Sequence, residues 1–131
     1  MTEHVLFVCK SCSFSSTERK HMNQTGGDHL LTQLSDLYEN WSLQSEFAIQ
    51  EVECLSGCDR SCTIAFSAPN KATLMFGDLP PLESAAEILK FSEQYFTSAT
   101  GIIPRQERPE ALKKGILARI PPLPQATQAS F

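Results

Sequence analysis

Two groups of cysteines constrain this chain more than any other feature: Cys9-Lys-Ser-Cys12 near the start, and Cys54-Leu-Ser-Gly-Cys58-Asp-Arg-Ser-Cys62 in the middle. Spacings of two or three residues place two sulfurs around one backbone turn, so that both can face one ion or cluster. Gly57 beside Cys58 lets the backbone bend close to such a centre without a side-chain clash. A lone cysteine packs like a small hydrophobe, but Lys10, Ser11, Ser13, Ser56, Asp59 and Ser61 surround these ones, which suits loops around a site. Cys62 is the member most readily read as a packed thiol, because four thiolates already satisfy a cluster or a zinc ion.

The apolar run Val5-Leu-Phe-Val8 is far shorter than the ~20 residues that span a bilayer, and no charged start leads into a long apolar stretch. The expectation is a cytoplasmic protein without a membrane partner. In a reducing cytosol, clustered cysteines point to metal or redox chemistry rather than to structural disulfides, and the odd count of five agrees. Net charge is −4, but residues 1–100 carry six basic and thirteen acidic groups, and residues 101–131 five basic and two acidic. An acidic body speaks against nucleic-acid binding, which needs a basic face.

Val5 to Val8 reads as a buried central strand that ends at Cys9. Residues 10–27 are rich in Ser, Thr, Lys and Gly and read as a long loop. Asp28 then caps a helix on which Leu30, Leu31, Leu34, Leu37, Tyr38 and Trp41 form one stripe. Phe47 to Glu53 reads as a second strand delivering Cys54, and a strand–helix–strand crossover makes the two strands parallel, bringing both cysteine groups to one edge. Residues 63–66 and 72–76 make a hairpin about the turn 67–71. Pro80-Pro81 opens a last helix, roughly Leu82 to Phe96, with Ala85, Ala86, Leu89 and Phe96 on one face. The fold expected is therefore α/β and thioredoxin-like (βαβ-ββα). It comprises a single domain over residues 1–100 and a Pro-rich basic tail over 101–131, an extended arm with at most a short helix between Pro109 and Arg119.

The stretch ECLSGCDRSCTIAF followed by ATLMFGD resembles the second half of thioredoxin-like 2Fe-2S ferredoxins and the related small subunit of respiratory NADH dehydrogenase. That resemblance implies Cys54 and Cys58 as cluster ligands, with Cys9 and Cys12 as the other pair. It departs in two places: the first pair is closer than is usual there, and Cys62 stands where those proteins tend to carry proline. Cys62 is thus an alternative fourth ligand, exchanging with Cys12. Over its whole length, including RPEALKKGILARIPPLP, the chain is similar to a bacterial family of unknown function described as predicted metal-binding proteins.

The function expected is a 2Fe-2S protein that transfers single electrons or senses redox state, not a conventional enzyme, with an unidentified redox partner protein; the resemblance also suggests a homodimer. A zinc-binding structural or trafficking protein is the alternative cofactor reading. A thiol-disulfide oxidoreductase using Cys9 and Cys12 is the second alternative, although more than a dozen residues separate Cys12 from the helix at Asp28. His4, His21 and His29 are weaker ligand candidates, His21 the strongest of them. Asp59 and Arg60 are candidates for tuning or docking, and Lys113, Lys114 and Arg119 for contact with an acidic surface.

Overall fold

The computed structural model describes residues 4–10, 12, 17, 20–53, 55 and 62–122. Its first strand, β1 (His4–Cys9), buries Leu6 and Val8 on one face and leaves Val5 and Phe7 half-buried on the other. A short hairpin follows, β2 (Lys20–His21) with β3 (Gln24–Thr25), then helix α1 (Gly26–Tyr38) and β4 (Phe47–Val52). Strands β5 (Ile64–Ser67) and β6 (Thr73–Phe76), helix α2 (Ala85–Thr97) and strand β7 (Ile116–Ile120) complete the chain.

β1 pairs in parallel with β4, His4 opposite Phe47 and Cys9 opposite Val52, as a crossover through α1 requires. On its other side it pairs antiparallel with β5, and the sheet runs β4-β1-β5-β6-β7. The βαβ-ββα plan is therefore present. Leu6, Val8, Ile64, Phe66, Leu74 and Phe76 of the sheet join Leu30, Leu34, Ile88, Phe91 and Tyr95 of the helices in one core. Phe66 is its centre, with ring centroids 4.9 Å from Phe91, 5.6 Å from Tyr95 and 6.1 Å from Phe76. Aromatic side chains bury the most area per residue, and edge-to-face or tilted contacts suit their quadrupoles.

Four expectations are corrected. The loop before α1 contains the β2–β3 hairpin, whose turn residues Met22 and Asn23 both take positive φ (53° and 67°), as a two-residue hairpin turn demands. The cap of α1 is Thr25, whose Oγ1 accepts from the Asp28 backbone N–H at 3.1 Å; Asp28 lies in the first turn, where a carboxylate complements the helix dipole. Helix α2 begins at Ala85 because Pro80 closes a turn whose carbonyl accepts from both Ser84 N–H and Ser84 Oγ. That start fixes Ala85, Ile88, Leu89, Ser92 and Tyr95 inward at helical spacing and turns Ala86 to solvent.

The fourth correction concerns the tail. Residues 101–122 are not an extended arm: Pro104 and Pro109 each precede a one-turn 3-10 helix (Arg105–Glu107, Glu110–Leu112), and β7 adds a fifth strand antiparallel to β6. The prolines supply a fixed φ that starts tight turns, while Ile103 and Leu112 provide the apolar anchors, 5% and 0% exposed. Residues 123–131 lie outside the described residues. Leu112→Ala is expected to destabilise the protein by about 2–5 kcal/mol in urea titrations; a tail lying free of the core would leave the midpoint unchanged.

Candidate metal centre

Cys9 is the last residue of β1, and its position is fixed from both sides. Its backbone N–H donates to the Thr63 carbonyl at 3.1 Å, and its Sγ reaches the Glu53 carbonyl at 3.9 Å. Lys10 N–H then donates to the Val52 carbonyl at 2.9 Å, so the ends of β1 and β4 stay together past the paired residues. Glu53, the residue before Cys54, thus lies against Cys9. Cys54 and Cys58, with Asp59 and Arg60, lie outside the described residues.

Cys12 is held from two directions. Its carbonyl accepts from Gly27 N–H at 3.3 Å, in the first turn of α1, and its Sγ accepts from Thr63 N–H at 3.4 Å. Cys62 immediately precedes Thr63 and exchanges two backbone hydrogen bonds with Leu79, both 3.3 Å. One short stretch, 62–63, therefore carries a cysteine and also contacts both Cys9 and Cys12. All three cysteines are at most 1% exposed.

Lys10, which follows Cys9, is clamped by α1. Thr25 Oγ1 donates to the Lys10 carbonyl at 2.6 Å while capping the helix. Gly27 packs so closely on the strand end that a Cβ there would fall 2.1 Å from the Cys9 oxygen and 2.7 Å from the Lys10 Cα. Thr25, Gly27 and Thr63 were not singled out by the sequence; the only available signal was the Gly26-Gly27 pair at the helix start. An exposed ion pair, Lys10–Glu53 at 3.6 Å, adds little.

Burial is the first cause that pushes the Cys12 thiol from 9.0 up to about 12; its hydrogen bond with Cys9 adds to the rise, and the Thr63 contacts oppose it. Burial likewise raises Cys62 to about 12, followed by the charges of Cys12 and Cys9. Both groups are thiols at neutral pH, so a cation bound here displaces protons. In the metal-free protein the fold retains these protons where the unfolded chain releases them. Their contribution to stability is present below about pH 9 and lost as pH rises toward about 12. The urea midpoint of metal-free protein should fall between about pH 8 and pH 10, and a Cys12→Ala, Cys62→Ala double variant should flatten that slope.

The histidines make contacts of their own. His4 starts β1, at the opposite end of the strand from Cys9, where its Nε2 hydrogen-bonds Lys71 Nζ at 2.9 Å and its ring meets Phe47 and Phe96. His29 Nε2 bonds the His21 carbonyl at 2.7 Å, and the two rings lie 5.8 Å apart. Among the described residues no group of three or more Cys, His, Asp or Glu is arranged to hold a metal ion. The donor chemistry nevertheless fits a thiolate-bound centre: three buried sulfurs at one sheet edge, with a backbone N–H directed at one of them. It fits thiol exchange less well, because an attacking thiolate needs partial exposure.

Solved structures share the architecture. A thioredoxin-like [2Fe-2S] ferredoxin from Aquifex aeolicus matches with a TM-score of 0.55 at 13% identity, covering 91% of this chain and 94% of that one. A cysteine-to-serine variant of that ferredoxin gives 0.56 at 13% identity, over 88% and 98%. The wild-type form gives 0.52 at 10% identity, over 90% and 99%. These likenesses establish the thioredoxin-like fold. No curated protein matches the chain. A family model described as "Protein of unknown function (DUF1636)" matches residues 6–122.

Proposed function

Starting from membership of the DUF1636 family of proteins of unknown function, to which this chain belongs, we propose that it is a ferredoxin-like protein that holds one 2Fe-2S cluster and transfers single electrons. The observation that carries this reading is the burial of Cys9, Cys12 and Cys62, each at most 1% exposed, with Thr63, next to Cys62, bonded both to the Cys9 backbone and to the Cys12 sulfur, and with Glu53, next to Cys54, against Cys9. Similarity of fold to ferredoxins that bind such a cluster supports it. Cys9, Cys12 and Cys62, with Cys54 and Cys58, form the pool from which four ligands are drawn. When bound, the cluster would supply one-electron redox chemistry, with a potential set by burial and hydrogen bonds to sulfur.

The chain's own residues have definite parts in this. Thr63 N–H stabilises negative charge on the Cys12 sulfur. Gly27 and the Thr25 hydroxyl fix the backbone between the first two ligands. Burial around Cys62 excludes water. No helix among the described residues is long and apolar enough to cross a membrane. The proposed setting is cytoplasmic, and the proposed role is that of a carrier or sensor docking on a redox partner protein.

Protein purified without oxygen should show visible absorption that bleaches on addition of dithionite, with a one-electron paramagnetic signal in the reduced form. Absence of both in protein that carries zinc would place it with structural or trafficking metal proteins instead.

A further inference from the structure

At the end of the sheet remote from the cysteines, the β5–β6 turn, the segment after α2 and the end of β7 line a solvent-open cavity of about 370 Å³. Its walls are mainly apolar, formed by Ala72, Ile102, Pro121 and Pro122, and its polar groups are Asn70, Thr100 and the Arg119 side chain. The volume lies within the range of small-molecule sites, which pair apolar walls with a few placed polar groups.

The walls are built rather than incidental. Ala72 N–H donates to the Thr100 carbonyl at 2.8 Å, and Gly101 N–H to Ser98 Oγ at 3.0 Å. Gly101 takes φ +81°, and a Cβ there would strike the Tyr95 ring at 2.8 Å. The opposite wall is held by ladder pairing, Arg119 opposite Leu74 and Ile120 opposite Thr73.

Arg119 is the only charged residue lining the cavity, and neither it nor Arg105 forms an ion pair with a described residue. Arg108 lies nearby, its guanidinium 5.8 Å over the Phe76 ring and its Nε donating to the Ile103 carbonyl. Burial, and then the positive charges of Arg105 and Arg119, lower the pKa of Arg108. The described ion pairs in this region engage only Lys113 with Glu110, so Arg119 presents a guanidinium without a described carboxylate partner beside the apolar walls. An anion at Arg119 would supply that partner.

We infer that this cavity is a binding site for a small monocarboxylate with an apolar body, its carboxylate on Arg119 and its chain against Ile102, Pro121 and Pro122. Guanidinium is suited to carboxylate by its forked donors. The inference stands apart from the cysteine site and does not depend on it.

The test is an amide and methyl NMR titration of the full chain with sodium octanoate, and with sodium acetate and 1-octanol as probes lacking one half of the chemistry. Saturable shifts at Ala72, Thr100 and Ile102 are expected with octanoate, with affinity falling about tenfold or more for Arg119→Gln and for either control probe. Ile102→Glu, at a half-exposed wall position, should abolish binding while leaving the spectrum dispersed. Absence of saturable shifts with octanoate, equal affinity in Arg119→Gln, or equal binding of acetate would each overturn the inference.

Discussion

Replacing Gly27 with alanine is expected to cost the protein at least about 3 kcal/mol of stability and, on the proposed cluster reading, to lower its metal content. The added Cβ would lie 2.1 Å from the Cys9 carbonyl oxygen, and 2.7 and 2.8 Å from backbone atoms of Lys10. None of those atoms belongs to the end of a flexible side chain, so relief requires moving either the first turn of α1 or the end of β1. Moving the helix breaks the Gly27 N–H bond to Cys12 and the Thr25 contact with Lys10. Moving the strand end breaks the Cys9 bond to Thr63. Urea denaturation of metal-free protein and metal content per chain measure the two effects separately. An alanine variant with unchanged midpoint and full metal would mean that α1 does not press on the cysteine strand.

Cys62→Ser is expected to remove bound metal as completely as Cys9→Ser, to below about a tenth of the wild-type content. The ferredoxin resemblance implies Cys9, Cys12, Cys54 and Cys58 as ligands, and Cys62, a departure from that pattern, is the alternative fourth ligand exchanging with Cys12. The structure buries it next to Thr63, which bonds both the Cys9 backbone and the Cys12 sulfur. A serine there lowers thiolate number without changing volume much, so folding should survive and metal analysis stays interpretable. If Cys62→Ser keeps full metal while Cys12→Ser loses it, Cys62 is a packed thiol and the ligand set is the one implied by the resemblance.

The parts of the fold that were legible in the sequence are those in which one physical requirement dominates. Val5 to Val8 reads as a strand and forms one, although Val5 and Phe7 on its second face are only half-buried, and the stripe expected from Leu30 to Trp41 is helical to Tyr38, with Leu30 and Leu34 buried and Leu37 exposed. Parallel pairing of β1 with β4 then followed from the crossover. Where requirements compete, the pattern misleads. The β2–β3 strands are two residues each and carry no periodicity, and their turn uses Met22 and Asn23 where glycine would have announced it. β7 is an edge strand with Ile116, Arg119 and Ile120 exposed, so its alternation is weak and the surrounding prolines suggest an arm.

Much the same holds at the site. The convergence of the strand ends was readable from topology, and the contact of Cys9 with Glu53 agrees with it. The clamp formed by Thr25 and Gly27 was not, because it depends on a close approach of helix and strand that only coordinates reveal. His21, considered as a ligand, has its backbone carbonyl bonded by His29 Nε2 from α1, and the two rings lie 5.8 Å apart. Cys54 and Cys58 lie outside the described residues, so their part in the site rests on the resemblance and on the position of Glu53.

The most direct test is the count of iron, zinc and acid-labile sulfide per chain in protein purified without oxygen. About two irons and two sulfides, with negligible zinc, is the result predicted for a 2Fe-2S centre built from this cysteine pool. A stoichiometric zinc ion without sulfide, or protein free of both metals, would contradict it.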